Sequence, residues 1–201
     1  EFRRVLFRSP LAALPDLSRR MLHGLRQSMP RVLLPAPHSV APPLGRMGAL
    51  EVRLATTPRE VKMAQRLRYK VFYEEMSAIP DIQAQVSRRD RDAFDAICDH
   101  LLVLDHDTIT KSGEPAIVGT YRLLRQDVAE RYSGFYTASE FDLAPLLERH
   151  RGLRFLELGR SCVLAPYRSK RTVELLWHGI WSYVLSHRID VMIGCASLEG
   201  T

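Results

Sequence analysis

Two apolar runs, HLLVLD at 100–105 and AIVGTYRLL at 116–124, are separated by ten residues that include the turn-forming string KSGEP at 111–115. An interval that short, holding Gly113 and Pro115, has no room for a crossover helix, so the runs are predicted to pair as an antiparallel hairpin. A chain committed to antiparallel pairing in its middle must then cover the faces of the resulting sheet with its flanking helices.

The flanks supply them. Residues 50–55 (LEVRLA) alternate apolar and charged and read as a strand. Thr57, Pro58 and Glu60 give an N-cap, a proline at the first helical position and an early acid, so a helix is expected there with Val61, Ala64, Leu67 and Val71 on one face. Residues 78–99 are polar and weakly periodic, which suits a loop or short helices folded over a site. RFLELGRSCVL at 154–164 is a further strand, stopped by Ala165 and Pro166. An amphipathic helix follows with Val173, Leu176, Trp177, Ile180, Trp181 and Val184 on its apolar side, both tryptophans being expected in the core. DVMIGCA at 190–196 reads as a last buried strand. The order β-α-loop-β-β-β-α-β predicts an α/β (α+β) architecture, a mixed, mostly antiparallel sheet with one βαβ crossover and flanking helices.

Composition excludes several classes. A chain of 201 residues, 46% of them hydrophobic, builds a full core without metal or disulfide staples. No apolar run reaches the roughly 18 residues of a membrane span. Cys98, Cys162 and Cys195 are odd in number and without CxxC spacing, and read as reduced, buried thiols of a cytosolic protein. The histidines are scattered without ligand spacing, so no metal site is expected. Ser161 lacks a G-x-S-x-G elbow, which argues against a hydrolase.

The net charge of +6 is unevenly placed: residues 1–46 hold eight Arg against Glu1 and Asp16, whereas residues 47–201 hold 21 basic and 21 acidic side chains. A nucleic-acid binder carries its basic stripe on the folded domain, so no nucleic acid is expected as partner. Residues 1–46 form a basic, Pro-rich extension in which 17–25 read as a short amphipathic helix suited to anionic lipid, with a disordered leader as the alternative. A cytoplasmic protein with peripheral contact at the inner face of the membrane follows from that reading. RVLFRS at 4–9 is what the string CGTGTGCTCTTCCGATCT encodes, so residues 1–9 read as a sequencing-adapter artefact. Residues 47–201 form the expected domain, incomplete at its C-terminus because the chain stops directly after a strand-like run.

Three patterns carry candidate chemistry. RYKVF at 68–72 sets Arg68 and Phe72 one helical turn apart, DAFD at 92–95 sets two carboxylates in the lid-like segment, and ELGR at 157–160 lies on a strand whose neighbour carries Arg122. In a regular strand Glu157 and Arg160 face opposite ways, and a bulge at Gly159 would re-aim the chain. Taken singly, each pair is explained as well by a structural ion pair.

In this order R-x-x-x-F, D-x-F-D, G-x-x-R-L-L and E-x-x-R resemble the acyl-homoserine lactone autoinducer synthases, GNAT-fold acyltransferases that use acyl carrier protein. The blocks RYKVF, HLLV at 100–103, GTYRLL at 119–124, ELGRS at 157–161 and IGCAS at 193–197 are similar to the ornithine Nα-acyltransferases, also called hemolysin-like acyltransferases, over residues 50–201. The resemblance implies a C-terminally truncated GNAT fold and transfer of a 3-hydroxyacyl chain from acyl carrier protein to the α-amine of ornithine, the first step toward ornithine lipids. It implies Glu157 as general base, and Arg68, Phe72, Asp92, Asp95, Arg122 and Arg160 on the amine-substrate side. Backbone N–H groups where the strand ending at Leu164 splays would hold the oxyanion. No bound cofactor is implied, the donor being the phosphopantetheine thioester.

In GNATs that use acetyl-CoA the next turn resembles R/Q-x-x-G-x-G/A, whereas here it is RSKRTV at 168–173. Without those glycines a pyrophosphate cradle is not expected, and Arg168, Lys170 and Arg171 read as contacts for carrier protein and phosphopantetheine. The rivals are glycine as acceptor, an autoinducer synthase, a CoA-dependent acetyltransferase, and a non-catalytic membrane-associated binding protein. Autoinducer synthases carry Trp soon after the R-x-x-x-F block, where this chain has MSAI at 76–79.

Overall fold

Thr57 closes a capping box: its hydroxyl accepts the Glu60 N–H at 3.2 Å, and the Glu60 carboxylate accepts the Thr57 N–H at 3.2 Å. Donors that a helix start leaves orphaned are thereby satisfied, and Pro58 has none to lose at that place. Helix α1 (Pro58–Tyr69) therefore begins where its local chemistry demands. In a computed structural model, which describes residues 42–196, α1 runs on into a π-helical segment, Lys70–Glu75. The expectations for residues 1–9 and for a helix over 17–25 lie outside the described residues.

The central hairpin forms as its short connection dictates. Strands β3 (Asp99–Ile109) and β4 (Pro115–Arg125) pair antiparallel from Asp99 opposite Leu123 to Ile109 opposite Pro115. On its two sides lie β2 (Leu50–Leu54) against β3 and β5 (Phe155–Val163) against β4, both antiparallel. A strand the sequence did not signal, β1 (Gly45–Met47), pairs with β2 through a tight turn in which Gly48 takes φ +63°. Three residues are too few for a period-2 pattern to register, and the fold therefore starts ahead of position 47. At the other edge β6 (Val191–Ile193) adds parallel to β5. The sheet order equals the sequence order, giving the expected mixed sheet with a single parallel pair. Short helices α2 (Ile82–Ser87), α3 (Gln126–Ala129) and α4 (Ala144–Arg149) fill the connections, and α5 (Lys170–His187) makes the crossover from β5 to β6.

Alternation along β3 sorts the core. Leu101 and Val103 go to the α5 side with Val52, Leu156, Leu176, Ile180 and Tyr183, while Leu102 and Leu104 go to the α1 side with Ala64, Leu67 and Val71. A third cluster of Leu124, Ala129, Phe135, Leu143 and Phe155 lies under the β4–β5 connection. Gly179 lets α5 lie close on the sheet, since a Cβ there would stand 2.7 Å from Val52 Cγ2.

That seating corrects one expectation. The sheet covers the side of α5 that bears Thr172, Leu175, Leu176, Gly179, Ile180, Tyr183 and Val184, and leaves Trp177 and Trp181 at 47% and 57% exposure, outside the core. The apolar arc of α5 is wider than one sheet face covers, and the glycine at 179 rather than the indoles decides which part is buried.

Changing Ile180 to Ala should lower the unfolding free energy by about 2–5 kcal/mol, the scale of a buried large-to-small change. Trp181→Ala, one residue on, should move it by no more than about 0.5 kcal/mol. Urea unfolding of the two variants checks this, and equal losses would put Trp181 in the core.

Candidate active site

Arg68 lies in the last turn of α1 with its side chain 1% exposed, on the sheet face opposite α5. A guanidinium so placed needs carboxylates and acceptors to replace water. It finds Asp90, which takes Nε–H at 2.8 Å and offers its carbonyl to Nη2 at 2.5 Å. It also finds Asp95, whose two oxygens accept from Nη1 and Nη2 at 2.8 Å each. Burial alone would raise the Asp95 pKa, but the Arg68 hydrogen bonds and charge outweigh it and hold the group down to about 2. The Gln65 amide at 3.0 Å adds a third donor.

DAFD is itself a capping box. Asp92 caps the short 3₁₀ turn Ala93–Ala96 by accepting from Phe94 N–H at 2.9 Å, and Asp95 accepts from the Asp92 N–H at 3.2 Å. Local hydrogen bonds thus set the angle between the two carboxylates before any tertiary contact is made. Arg122, on β4, joins them, donating to Asp92 at 2.6 Å and to Asp95 at 3.3 Å. Its pKa is raised: burial opposes the charge, and Asp92 more than restores it.

Arg160 reaches the same cluster because β5 is bulged. Arg122 pairs with Gly159 and Thr120 with Cys162, so Arg160 and Ser161 together oppose Tyr121. The expected bulge is present one residue on from Gly159, and the left-handed residue is Arg160, at φ +53°. A non-glycine side chain held there costs about 1–2 kcal/mol. The guanidinium then lies 3.3 Å from Asp92 and 3.6 Å from Asp90, between the rings of Phe72 and Tyr136 at 5.9 Å from each centroid. Arg68, Phe72, Asp92, Asp95, Arg122 and Arg160 therefore meet in one cluster. Most of its charges are buried, while Asp92 and Arg160 keep 21% and 20% side-chain exposure and form its solvent-reaching end.

Glu157 stands beside this cluster, 5% exposed, with its carboxylate accepting from the backbone N–H groups of Tyr136 at 3.0 Å and Thr137 at 2.6 Å. The Tyr136 ring under Arg160 links the two. Glu157 also marks a parting of strands: β5 and β6 pair at Phe155, Leu156 and Glu157, and beyond that point residues 158–163 have no partner on this edge among the described residues.

The three cations after β5 do not converge. Arg168 donates to the Val163 carbonyl at 2.9 Å and pairs with Glu75, Lys170 stands in solvent 3.6 Å from Glu174, and Arg171 lines a cleft of about 310 Å³ with Met47, Leu50, Asp105, Tyr167 and Thr172. That cleft shares no residue with the ion cluster. Burial pushes the thiols of Cys98 and Cys162 up to about 12, which removes them as nucleophiles near neutral pH.

Sequence reasoning missed Asp90, Gln65, His100 and the 136–137 amides. Asp90 sits in the run RRDRD at 88–92, which reads as a solvated face, and only the burial of Arg68 singles it out. His100 Nε2–H donates to the Asp95 carbonyl at 3.1 Å, and burial lowers its pKa so that the ring stays neutral among the arginines.

A family model described as an acetyltransferase (GNAT) domain matches residues 67–178. A curated relative from Agrobacterium fabrum (strain C58), named L-ornithine N(alpha)-acyltransferase, is 60% identical over 156 residues, covering 78% of this chain and 53% of that one. A protein of the same name from Brucella abortus (strain 2308) is 54% identical over 157 residues, covering 78% and 56%. This chain spans about half the length of the curated relatives it matches. Among solved structures, FeeM, an N-acyl amino acid synthase from uncultured soil microbes, is similar at a TM-score of 0.49 and 16% identity, over 71% of this chain and 68% of that one. With more than half of its length inside the family model, the chain belongs to the GNAT acetyltransferase-domain family.

Proposed function

We propose that this protein is an N-acyltransferase that moves a 3-hydroxyacyl chain from acyl carrier protein to the α-amine of L-ornithine, the step that opens ornithine lipid synthesis. The observation that carries the reading is a cluster of both charge signs whose exposed end, Asp92 and Arg160, lies beside Glu157 at the parting of β5 and β6. An amino-acid substrate with an α-carboxylate and two ammonium groups asks for both signs within one site. The kinship with proteins named for ornithine acylation supports the choice of acceptor.

In this reading Arg160 takes the α-carboxylate while Asp92 takes an ammonium group, and the buried Arg68, Asp95 and Arg122 hold these two in place. An α-ammonium is protonated near neutral pH and must lose a proton before it attacks. Glu157 receives it through a water. The free amine adds to the thioester carbonyl, and the oxyanion is met by N–H groups of β5 beyond Glu157. Collapse forms the amide and breaks the C–S bond; the second proton lost by the nitrogen goes to the thiolate, which leaves as the carrier thiol, and Glu157 returns the first to solvent. Arg168 and Lys170, with Arg171 beside them, meet the acidic carrier protein and its phosphopantetheine phosphate. We place the protein in the cytoplasm, with peripheral membrane contact through its basic extension.

The test is transfer from 3-hydroxyacyl carrier protein with ornithine, glycine or S-adenosylmethionine as acceptor. Ornithine should be preferred, and turnover confined to S-adenosylmethionine would sink the assignment. In Glu157→Gln the rate should fall by roughly 10² or more with substrate binding kept, the usual scale for losing a general base. A wild-type rate with an unchanged pH profile would move the base elsewhere. The pair Arg168→Glu and Lys170→Glu should raise KM for the loaded carrier protein and flatten its salt dependence, leaving KM for ornithine alone; the opposite split would refute the docking assignment.

A further inference from the structure

Val173, Trp177, Trp181 and Leu185 recur every fourth residue along the outer side of α5, at 47%, 47%, 57% and 62% exposure. Side chains at that spacing stack into one row, and a contiguous exposed apolar row marks a contact surface.

Charge decides what it contacts. Exposed cations stand at both ends of the row, Lys170 and Arg171 before Val173 and Arg188 after Leu185, while the one acid of α5, Glu174, pairs with Lys170 at 3.6 Å. The chain also enters the sheet against this helix: Ser182 Oγ donates to the Leu44 carbonyl at 3.4 Å, and a Cβ on Gly45 would meet the His178 ring at 2.5 Å. Residues 1–41, which precede this point in the sequence, hold seven arginines against Glu1 and Asp16. Indoles flanked by cations are what the boundary of an anionic bilayer selects, the rings sitting at headgroup depth and the cations among the phosphates.

We propose that the outer row of α5 is a docking face for an anionic lipid surface. This deepens the peripheral contact proposed above and rests on it, but not on the chemistry of the transfer.

Trp177 and Trp181 are the only tryptophans of the chain, so its indole emission reports the row and nothing else. Titrating the 201-residue chain with vesicles of phosphatidylglycerol and phosphatidylcholine should shift that emission to the blue and expose it to quenching by brominated acyl chains. The double change Val173→Glu and Leu185→Glu, which keeps both probes, should weaken partitioning about tenfold or more without moving the unfolding midpoint. Sedimentation with vesicles while the emission stays unshifted would overturn the row and spare the contact through the basic extension. No sedimentation would overturn both. Equal partitioning into phosphatidylcholine alone would overturn the anionic preference, and blue, quencher-protected emission without lipid at a dimeric mass would give the row to a second copy instead.

Discussion

Arg68 and Asp95 hold the polar half of this structure in place. A guanidinium left 1% exposed with no partner costs several kcal/mol, so the fold is viable only if carboxylates come to it. They arrive from residues 90 and 95, which draws the whole segment after the π-helical turn back over the sheet. Asp95 cannot move without disturbing Arg122, and its capping partner Asp92 cannot move without disturbing Arg160. One forced contact thus arranges four more.

The two faces of the sheet divide the work. Against α5 the packing is apolar and continuous, with Leu101, Leu156 and Ile180 fully shielded, and the Arg125–Asp99 pair meets the helix at the Tyr183 hydroxyl. On the α1 side the apolar contacts stop near Leu67 and Val71, and charged side chains take over. Glu157 is where the two regimes meet: its strand neighbours Phe155 and Leu156 are core, and its own carboxylate is spent on the amides that anchor the third apolar cluster through Phe135. A carboxylate fixed on two sides by backbone donors keeps its orientation, the preorganisation that the base role proposed for Glu157 would need.

What could be read in the sequence followed the range of the interactions involved. The cap at Thr57, the turn before Pro115 and the stop at Pro166 depend on neighbours within a few residues, and all three stand where the sequence signals them. The meeting of Arg68, Asp92, Asp95, Arg122 and Arg160 rests on contacts such as that of Asp92 with Arg160, 68 positions apart, and no spacing rule separates it from a set of surface ion pairs. Family resemblance supplied that link. Periodicity marked α5 as amphipathic but placed both tryptophans inward, because a repeat reports how wide an apolar arc is and not which part a sheet covers. Asp90 was hidden by its charged neighbours and β1 by its shortness.

The most direct test of the Arg68–Asp95 pair is the pH dependence of stability, compared between the wild-type chain and Asp95→Asn by urea unfolding. A carboxylate with a depressed folded pKa contributes stability above its unfolded value, and that contribution is lost as pH falls through the folded one. With Asp95 held to about 2, the gap between the two proteins should be constant from about pH 7 to 5 and shrink between about pH 4 and 2. A gap that stays the same down to pH 2 would show that Asp95 is not an ionised partner of Arg68, and the arrangement built on that pair would fall with it.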